Sequence, residues 1–321
     1  MSGAKTKLGV LLPTRGLLLG GEQPPNADRI IRMAERVEAA GLDSVWVGDS
    51  LTAKPRLEPL AMLGAIATRT SRVRLGTAVL IPALRHPVLL AQTMATVDMI
   101  SGGRLIIGAG VGGAFNDDQR GEWNAAGVDP TRRARRFEEI IEIVKGLGPG
   151  TPYSFEGRHF QLDSVAVGPA VTQPGGIPIL FASHYRAQQQ AQIDRAARLG
   201  DGIISLSDTP DEFAQVISQV EAKAEEMGRD SSKLEKTFYL TANVDPDLAK
   251  AEAEADEFLT RYYGSNIWGS RWGPFGGPER VIERMREYVS AGAQTLVVRL
   301  ATFDPEQQLD LFLERVAPEF S

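Results

Sequence analysis

Cysteine is absent from the 321 residues. Its absence removes disulfides, thiolate nucleophiles, Cys-ligated zinc and iron–sulfur clusters together. Histidine is almost missing too: only His86, His159 and His184 are present, and no two share metal-ligand spacing on one helix. A His-rich catalytic metal centre is therefore not expected, and any redox chemistry must be carried by an organic cofactor. There is no long apolar run. Lys5 and Lys7 precede Leu8–Leu12, but Pro13 and Arg15 cut that stretch short. Nothing later reaches the roughly 18–20 apolar residues of a membrane span, so a cytoplasmic protein with no membrane partner is expected. Surplus positive charge is lacking as well: 35 Lys+Arg against 41 Asp+Glu leave a net −6, which argues against a nucleic-acid partner.

What is present is a chain of ordinary hydrophobicity, long enough to bury a core without staples. Short apolar strands alternate with amphipathic helices. The strands read Lys7–Pro13, Ser44–Asp49, Val73–Ile81, Arg104–Gly108, Ile177–Ala182, Gly202–Leu206, Thr237–Val244 and Thr295–Leu300. Helices are predicted over Ala27–Ala40, Pro59–Thr68, Pro87–Ile100, Arg132–Leu147, Ala187–Leu199, Pro210–Met227, Leu248–Tyr262, Pro278–Ala291 and Pro305–Val316. Continuous apolar strands between helices indicate a covered parallel sheet. Eight such units predict an α/β fold, a single (β/α)8 TIM barrel spanning 1–321, in preference to an open doubly wound sheet. A barrel needs about 250 residues, so roughly 70 are left for insertions. These fall at Ala114–Thr131, Gly148–Gly176 and Tyr263–Gly277, and loops of that length are usually functional.

A barrel's active site lies at the C-terminal ends of its strands. Small and polar residues dominate there, which suits a flat aromatic cofactor. Gly108–Gly113 contains a formal G-x-G-x-x-G. A dinucleotide fold would need a helix starting inside that motif, and Ala114–Asp129 shows no helical apolar period. A tight turn, or space for a ring to approach the backbone, accounts for these glycines without a nicotinamide cofactor. After the fifth strand, Ser183, His184 and Arg186 open a helix and make a candidate phosphate site, though Ser183 can equally be a simple cap. Asp49, ending the second strand, can orient a ring or act as a base; alternatively it caps a turn or pairs with Arg85. His86 is expected to be packed and hydrogen-bonded, and His159 to lie at the surface. Arginines over Thr131–Arg136, followed by Glu138, Glu139 and Glu142, read as a solvated helix face. Tyr262, Tyr263, Trp268, Trp272 and Phe275 either pack the last long loop onto the barrel or form a lid over an apolar substrate.

Val73–Gly113, GVLLP, AAGLDSVWVGD, YSFEGRHFQLDSVAVGPAVTQPGGIPILFAS, AARLGDGIISLS and the segment from GGPERVIERM to its end closely resemble the bacterial luciferase-like family of flavin- and deazaflavin-dependent oxidoreductases. The resemblance covers nearly the whole chain. It implies a TIM barrel that binds FMN or coenzyme F420 at the strand ends and performs hydride transfer or monooxygenation on a small-molecule substrate. It further implies a homodimer, and a non-prolyl cis peptide within Thr77, Ala78 and Val79. The cofactor-binding positions it implies are Asp49, Thr77, Ala78, Val79, Gly110, Gly112, Asn116, Ala182, Ser183 and His184, with Arg186 added from the phosphate-site reading. Many members carry histidine at or just after the position of Asp49, where this chain has Ser50. Sugar-phosphate dehydrogenases of the family have glutamate at Gly113 and lysine near Thr209, so sugar-phosphate oxidation is not expected. Substrate chemistry then rests on Asp49, Arg15 and His184, with Arg299 as a further candidate. The alternatives are an NAD(P)-dependent dehydrogenase using the glycine motif and a non-catalytic flavin-binding accessory subunit.

Overall fold

A computed structural model describes residues 6–19, 25–186, 189–266 and 269–320. The first half runs β1 (Lys7–Leu11), α1 (Gly16–Leu19), α2 (Asp28–Ala39), β2 (Ser44–Val47), α3 (Pro59–Ala67), β3 (Arg74–Leu80), α4 (Pro87–Ser101), β4 (Leu105–Ala109), α5 (Asp117–Ala125) and α6 (Arg133–Leu147). A hairpin of β5 (Tyr153–Glu156) and β6 (Gln161–Val165) follows. The second half runs β7 (Ile179–Ala182), α7 (Gln189–Leu199), β8 (Gly202–Leu206), α8 (Pro210–Glu226), β9 (Glu235–Val244), α9 (Leu248–Tyr263), β10 (Phe275–Gly276), α10 (Pro278–Ser290), β11 (Thr295–Leu300) and α11 (Pro305–Arg315). Strands β1, β2, β3, β4, β7, β8, β9 and β11 pair in parallel in that order, and β11 pairs back onto β1. The sheet is closed. This is the predicted (β/α)8 barrel.

Local chemistry sets the element ends. Proline stands at the first turn of α3, α4, α8, α10 and α11, where its missing N–H has no helical partner to lose. Thr209 and Glu212 form a reciprocal capping box on α8. Gly102 ends α4 at φ 68°. The barrel interior is filled by one side chain from each strand: Leu11, Trp46, Ala78, Ile106, Leu180, Ile204, Tyr239 and Val297. Trp46 is the largest of these, and Gly76 makes room for it: a Cβ there would lie 2.2 Å from the indole.

Three expectations change. Ala114–Thr131 is not an irregular loop, because α5 forms within it. Asn116 caps α5 by accepting the Gln119 N–H, Asp117 and Asp118 favour its N-terminal dipole, and Trp123 is buried. The segment Gly148–Gly176 enters from the end of α6 and leaves into the start of β7, so its two ends lie at the face opposite the active-site end. Its hairpin is packed onto α6: a Cβ on Gly146 would sit 2.4 Å from the Tyr153 ring, and Arg136 stacks on Phe160. The last long loop contains the short strand β10, paired with β9.

Candidate active site

Above the interior layer, the mouth is rimmed by small residues where the barrel would otherwise fill. Gly110 lies between Val79 and Ala182, and a Cβ on it would be 3.0 Å from Val79 Cγ2. At Gly112, φ is +81° and a Cβ would meet Ile81 and Trp123 at 2.9 Å. Both the turn and the packing therefore require glycine here. No helix starts inside the glycine motif; α5 begins only at Asp117. The Ala78–Val79 peptide is cis, at the place the family resemblance implies. Ala78 belongs to the interior layer and Val79 packs against it. Thr77 is buried, and its hydroxyl donates to the Gly108 carbonyl.

On the β2–β3 side, Asp49 is not a free base. Its carboxylate takes both Arg85 Nη atoms, at 2.6 and 3.0 Å, and accepts the Ile81 N–H at 2.9 Å. Such a bidentate, charge-assisted pair consumes the lone pairs that a base would use. Asp49 therefore holds the start of the β3–α4 connection against β2. Neighbouring Ser50 donates to Glu122 Oε1 on α5, and the Leu51 and Thr52 N–H groups converge on the same oxygen. Glu122 thus locks two mouth loops together, and Asn116 serves that arrangement as the cap of α5.

Across the mouth, Ser183 is buried and its hydroxyl donates to the Phe181 carbonyl. His184 is held by its neighbours. Its N–H donates to Gln192, and Nδ1 lies 3.3 Å from Ser205 Oγ and 3.4 Å from the Leu206 N–H. Burial pushes the imidazole down to about 4, so it is neutral at pH 7. Ser205 donates in turn to Asp208, which also accepts the Tyr185 N–H, and burial raises Asp208 to about 6. Sequence reasoning missed this His184–Ser205–Asp208 chain, although Ser205 and Asp208 stand at a strand end. Arg186 is exposed and lies 3.5 Å from Glu212, in the first turn of α8.

The third side was only partly foreseen. Arg15 is buried, donating to the Tyr262 and Pro55 carbonyls at 3.2 Å each. Arg56 crosses over Gly48, where a Cβ would lie 2.2 Å from its Nη1, and bonds the Tyr262 hydroxyl. Arg299, 3% exposed, donates to Thr241 and Tyr263 and stacks over Tyr239 of the interior layer. Tyr262 and Tyr263 end α9 within this cluster, while Phe275 is buried in packing; Trp268 lies outside the described residues. Of the other predicted features, His86 is exposed, set edge-on to Phe160. His159 is half-buried, with an Nε2 that has no partner among the described residues. The arginine run is not merely solvated, since Arg133 donates to Gly112 O and Arg136 to Ala83 O.

Comparison with known proteins agrees with this architecture. The profile of the family described as luciferase-like monooxygenase matches residues 6–272. The 5,10-methylenetetrahydromethanopterin reductase of Methanopyrus kandleri is 24% identical over 94% of this chain and 97% of its own. An F420-dependent glucose-6-phosphate dehydrogenase of Amycolatopsis mediterranei is 28% identical over 90% and 93%. Among solved structures, an F420-dependent secondary alcohol dehydrogenase holding an F420–acetone adduct superposes with TM-score 0.79 at 23% identity, covering 99% of both chains. A monooxygenase from Streptomyces bottropensis gives 0.81 at 23% identity, covering 98% of this chain and all of its own.

Proposed function

The chain belongs to the luciferase-like monooxygenase family, and on that premise we propose that it is an oxidoreductase working with a flavin-type cofactor, F420 in preference to FMN, on a small organic substrate. The observation that carries this reading is the mouth itself. A closed layer of eight side chains, Ala78 among them, forms a floor with Val79 and Ala182 packed against it, and Gly110, lying between those two, adds no side chain of its own. The relatives named as F420-dependent favour the deazaflavin. When bound, such a cofactor supplies hydride transfer, and FMN would add oxygen activation.

This chain's own residues would do the holding. Ala78, Val79, Gly110 and Gly112 would line the ring, and the Ala182–His184 backbone would take the cofactor's anionic end, with neutral His184 offering a donor rather than a charge. Asp49 and Asn116 act at one remove, by fixing the loops that flank the ring. Thr77 and Arg186 drop out of the contact set, one being turned to Gly108 and the other to Glu212. Arg15 would act in substrate binding rather than proton transfer. Glucose-6-phosphate is disfavoured as substrate by Gly113 and Thr209, where a carboxylate and an ammonium are missing.

The remaining elements of the reading are a single barrel domain over 1–321, a cytoplasmic location and a homodimer. No helix among the described residues is long and apolar enough to cross a membrane. Leu89, 64% exposed, and Ile100, 46% exposed, line one stripe of α4 that suits pairing with a second copy. The test of function is a fluorescence titration of cofactor-free protein with F420 and, separately, FMN. Saturable F420 binding with weaker FMN binding is expected. Binding of neither overturns the reading, and binding of FMN alone turns it to oxygen-dependent chemistry.

A further inference from the structure

We propose that Arg15, Arg56 and Arg299 form an anion site at the barrel mouth that receives a carboxylate on the substrate. This rests on the cofactor reading above only in assigning the anion to the substrate rather than to the cofactor. The three guanidinium carbons lie 5.2, 5.6 and 5.1 Å from the centroid of one ring, that of Tyr262. They come from the end of β1, the β2–α3 segment and β11, three neighbouring positions around the barrel. Strand β7, which would carry the cofactor's anionic end, is four strands from β1 in the closed order, hence diametrically opposite. Arg56 passes over Gly48 with the Ala78 carbonyl next to it, and Arg299 stacks on Tyr239 of the interior layer. The cluster therefore faces the space above the floor.

Positive charges gathered this way repel one another unless something offsets them. Arg74, Arg85 and Arg271 meet the carboxylates of Glu235, Asp49 and Glu212, while Arg104, Arg136 and Arg229 end singly on backbone carbonyls; among the described residues, only at the mouth do three guanidinium groups converge on one ring. Among the described residues no carboxylate lies within 4 Å of Arg15 or Arg56. Arg15 uses Nε and Nη1 on backbone carbonyls, and Arg56 uses Nε and Nη1 on the Lys54 carbonyl and the Tyr262 hydroxyl. The Nη2 group of each has no protein acceptor among the described residues. The bland explanation is that these cations cap the C-terminus of α9. Arg15 and Lys54 do so, on the Tyr262 and Tyr263 carbonyls, but Arg56 does not touch a helix carbonyl.

The class of anion follows from the same geometry. A helix C-terminus is the negative end of its dipole and presents carbonyls, whereas phosphate sites favour helix N-termini and their free N–H groups. A singly charged planar carboxylate suits paired guanidinium edges and tolerates that setting. The aromatic faces of Tyr262 and Tyr263 would cover the adjoining part of the molecule.

The experiment is calorimetric titration of wild-type protein with acetate, benzoate and octanoate, each beside its neutral primary amide, with and without F420. Arg56→Met and Arg56→Lys are tested in parallel, and both are checked for folding by circular dichroism. At least one acid should bind about tenfold or more tightly than its amide. Arg56→Met should abolish that preference and Arg56→Lys should restore part of it, with F420 affinity unchanged in both. If no acid is preferred over its amide, the proposal fails whether or not F420 binds. If Arg56→Met weakens F420 and the acid in parallel, the arginines serve the cofactor and the assignment to substrate is overturned. Failure of F420 to bind wild-type protein alongside a clear acid preference would instead sink the cofactor reading and leave the anion site standing.

Discussion

Arg74 at the bottom of the barrel and Arg15 at its mouth are answered in different ways, although the mouth also holds the matched Arg85–Asp49 pair. At the bottom, Arg74 is met edge-on by Glu235, with both N–H···O contacts at 3.0 Å, and Thr295 donates to the same carboxylate. Burial disfavours charge on Glu235, yet the Arg74 contact outweighs it and holds the group below its ordinary value. At the mouth, Arg15 is as buried as a core residue but is answered by carbonyls and an aromatic face. Its pKa is lowered by burial, with the Arg56 charge adding to that. A matched pair closes an end of the barrel that has no ligand to meet. Arg15 and Arg56, which meet no carboxylate among the described residues, are costly to bury and persist where a ligand completes them.

The largest effect should come from breaking the closed end. Glu235→Gln leaves buried Arg74 with only Asp43, 4.0 Å away, as countercharge and should cost roughly 3 kcal/mol in urea unfolding, while cofactor affinity holds. An unchanged midpoint would mean that the bottom pair does not seal the barrel. The next effect belongs to the mouth. His184, held at about 4, contributes stability that is present above its unfolded value of 6.5 and lost as pH falls towards 4. Asp208, held at about 6, does the reverse: its contribution is present below 3.8 and lost as pH rises through 6. Each amounts to roughly 3 kcal/mol at about 1.4 kcal/mol per unit, so between pH 4 and 6.5 they nearly cancel. Asp208→Asn should therefore make the protein lose stability on acidification, and His184→Gln should make it gain. Denaturant titrations at stepped pH read this directly, and parallel curves for all three proteins would refute it.

Smaller effects sharpen the contrast between scaffold and rim. Gly112→Ala forces a side chain onto φ +81° and against Trp123, and should cost about 2 kcal/mol while weakening cofactor binding. A variant that keeps full cofactor affinity would separate the turn from the site. Asn116→Ala removes the α5 cap and should cost about 1 kcal/mol, seen as a small drop in Tm.

The barrel was legible in the sequence because its evidence is local and repeated. Eight strands fell within a few residues of their observed positions, since each is a continuous apolar run punctuated by proline and glycine. Helix α5 was not read, because an apolar period was sought in a helix that buries only Glu122 and Trp123. Its signal lay in the cap Asn116 followed by two aspartates. The site was legible by position more than by role. Asp49 and His184 were found at strand ends, and the pairing of Asp49 with Arg85, one of the readings open from the sequence, is the one the structure holds, whereas the Ser205 and Asp208 contacts of His184 were unmarked in the chain.

The sequence by itself determined the alternation of elements, the count of eight, the dependence of any redox chemistry on an organic cofactor, and the small residues at the strand ends. Each is a property of composition or short-range pattern, which physics reads without knowing where the chain goes. Only the tertiary structure decided which charges are matched. Arg15 and Arg56 are separated by 41 positions and Arg299 by a further 243. Barrel closure brings all three to one tyrosine, because β11 returns beside β1.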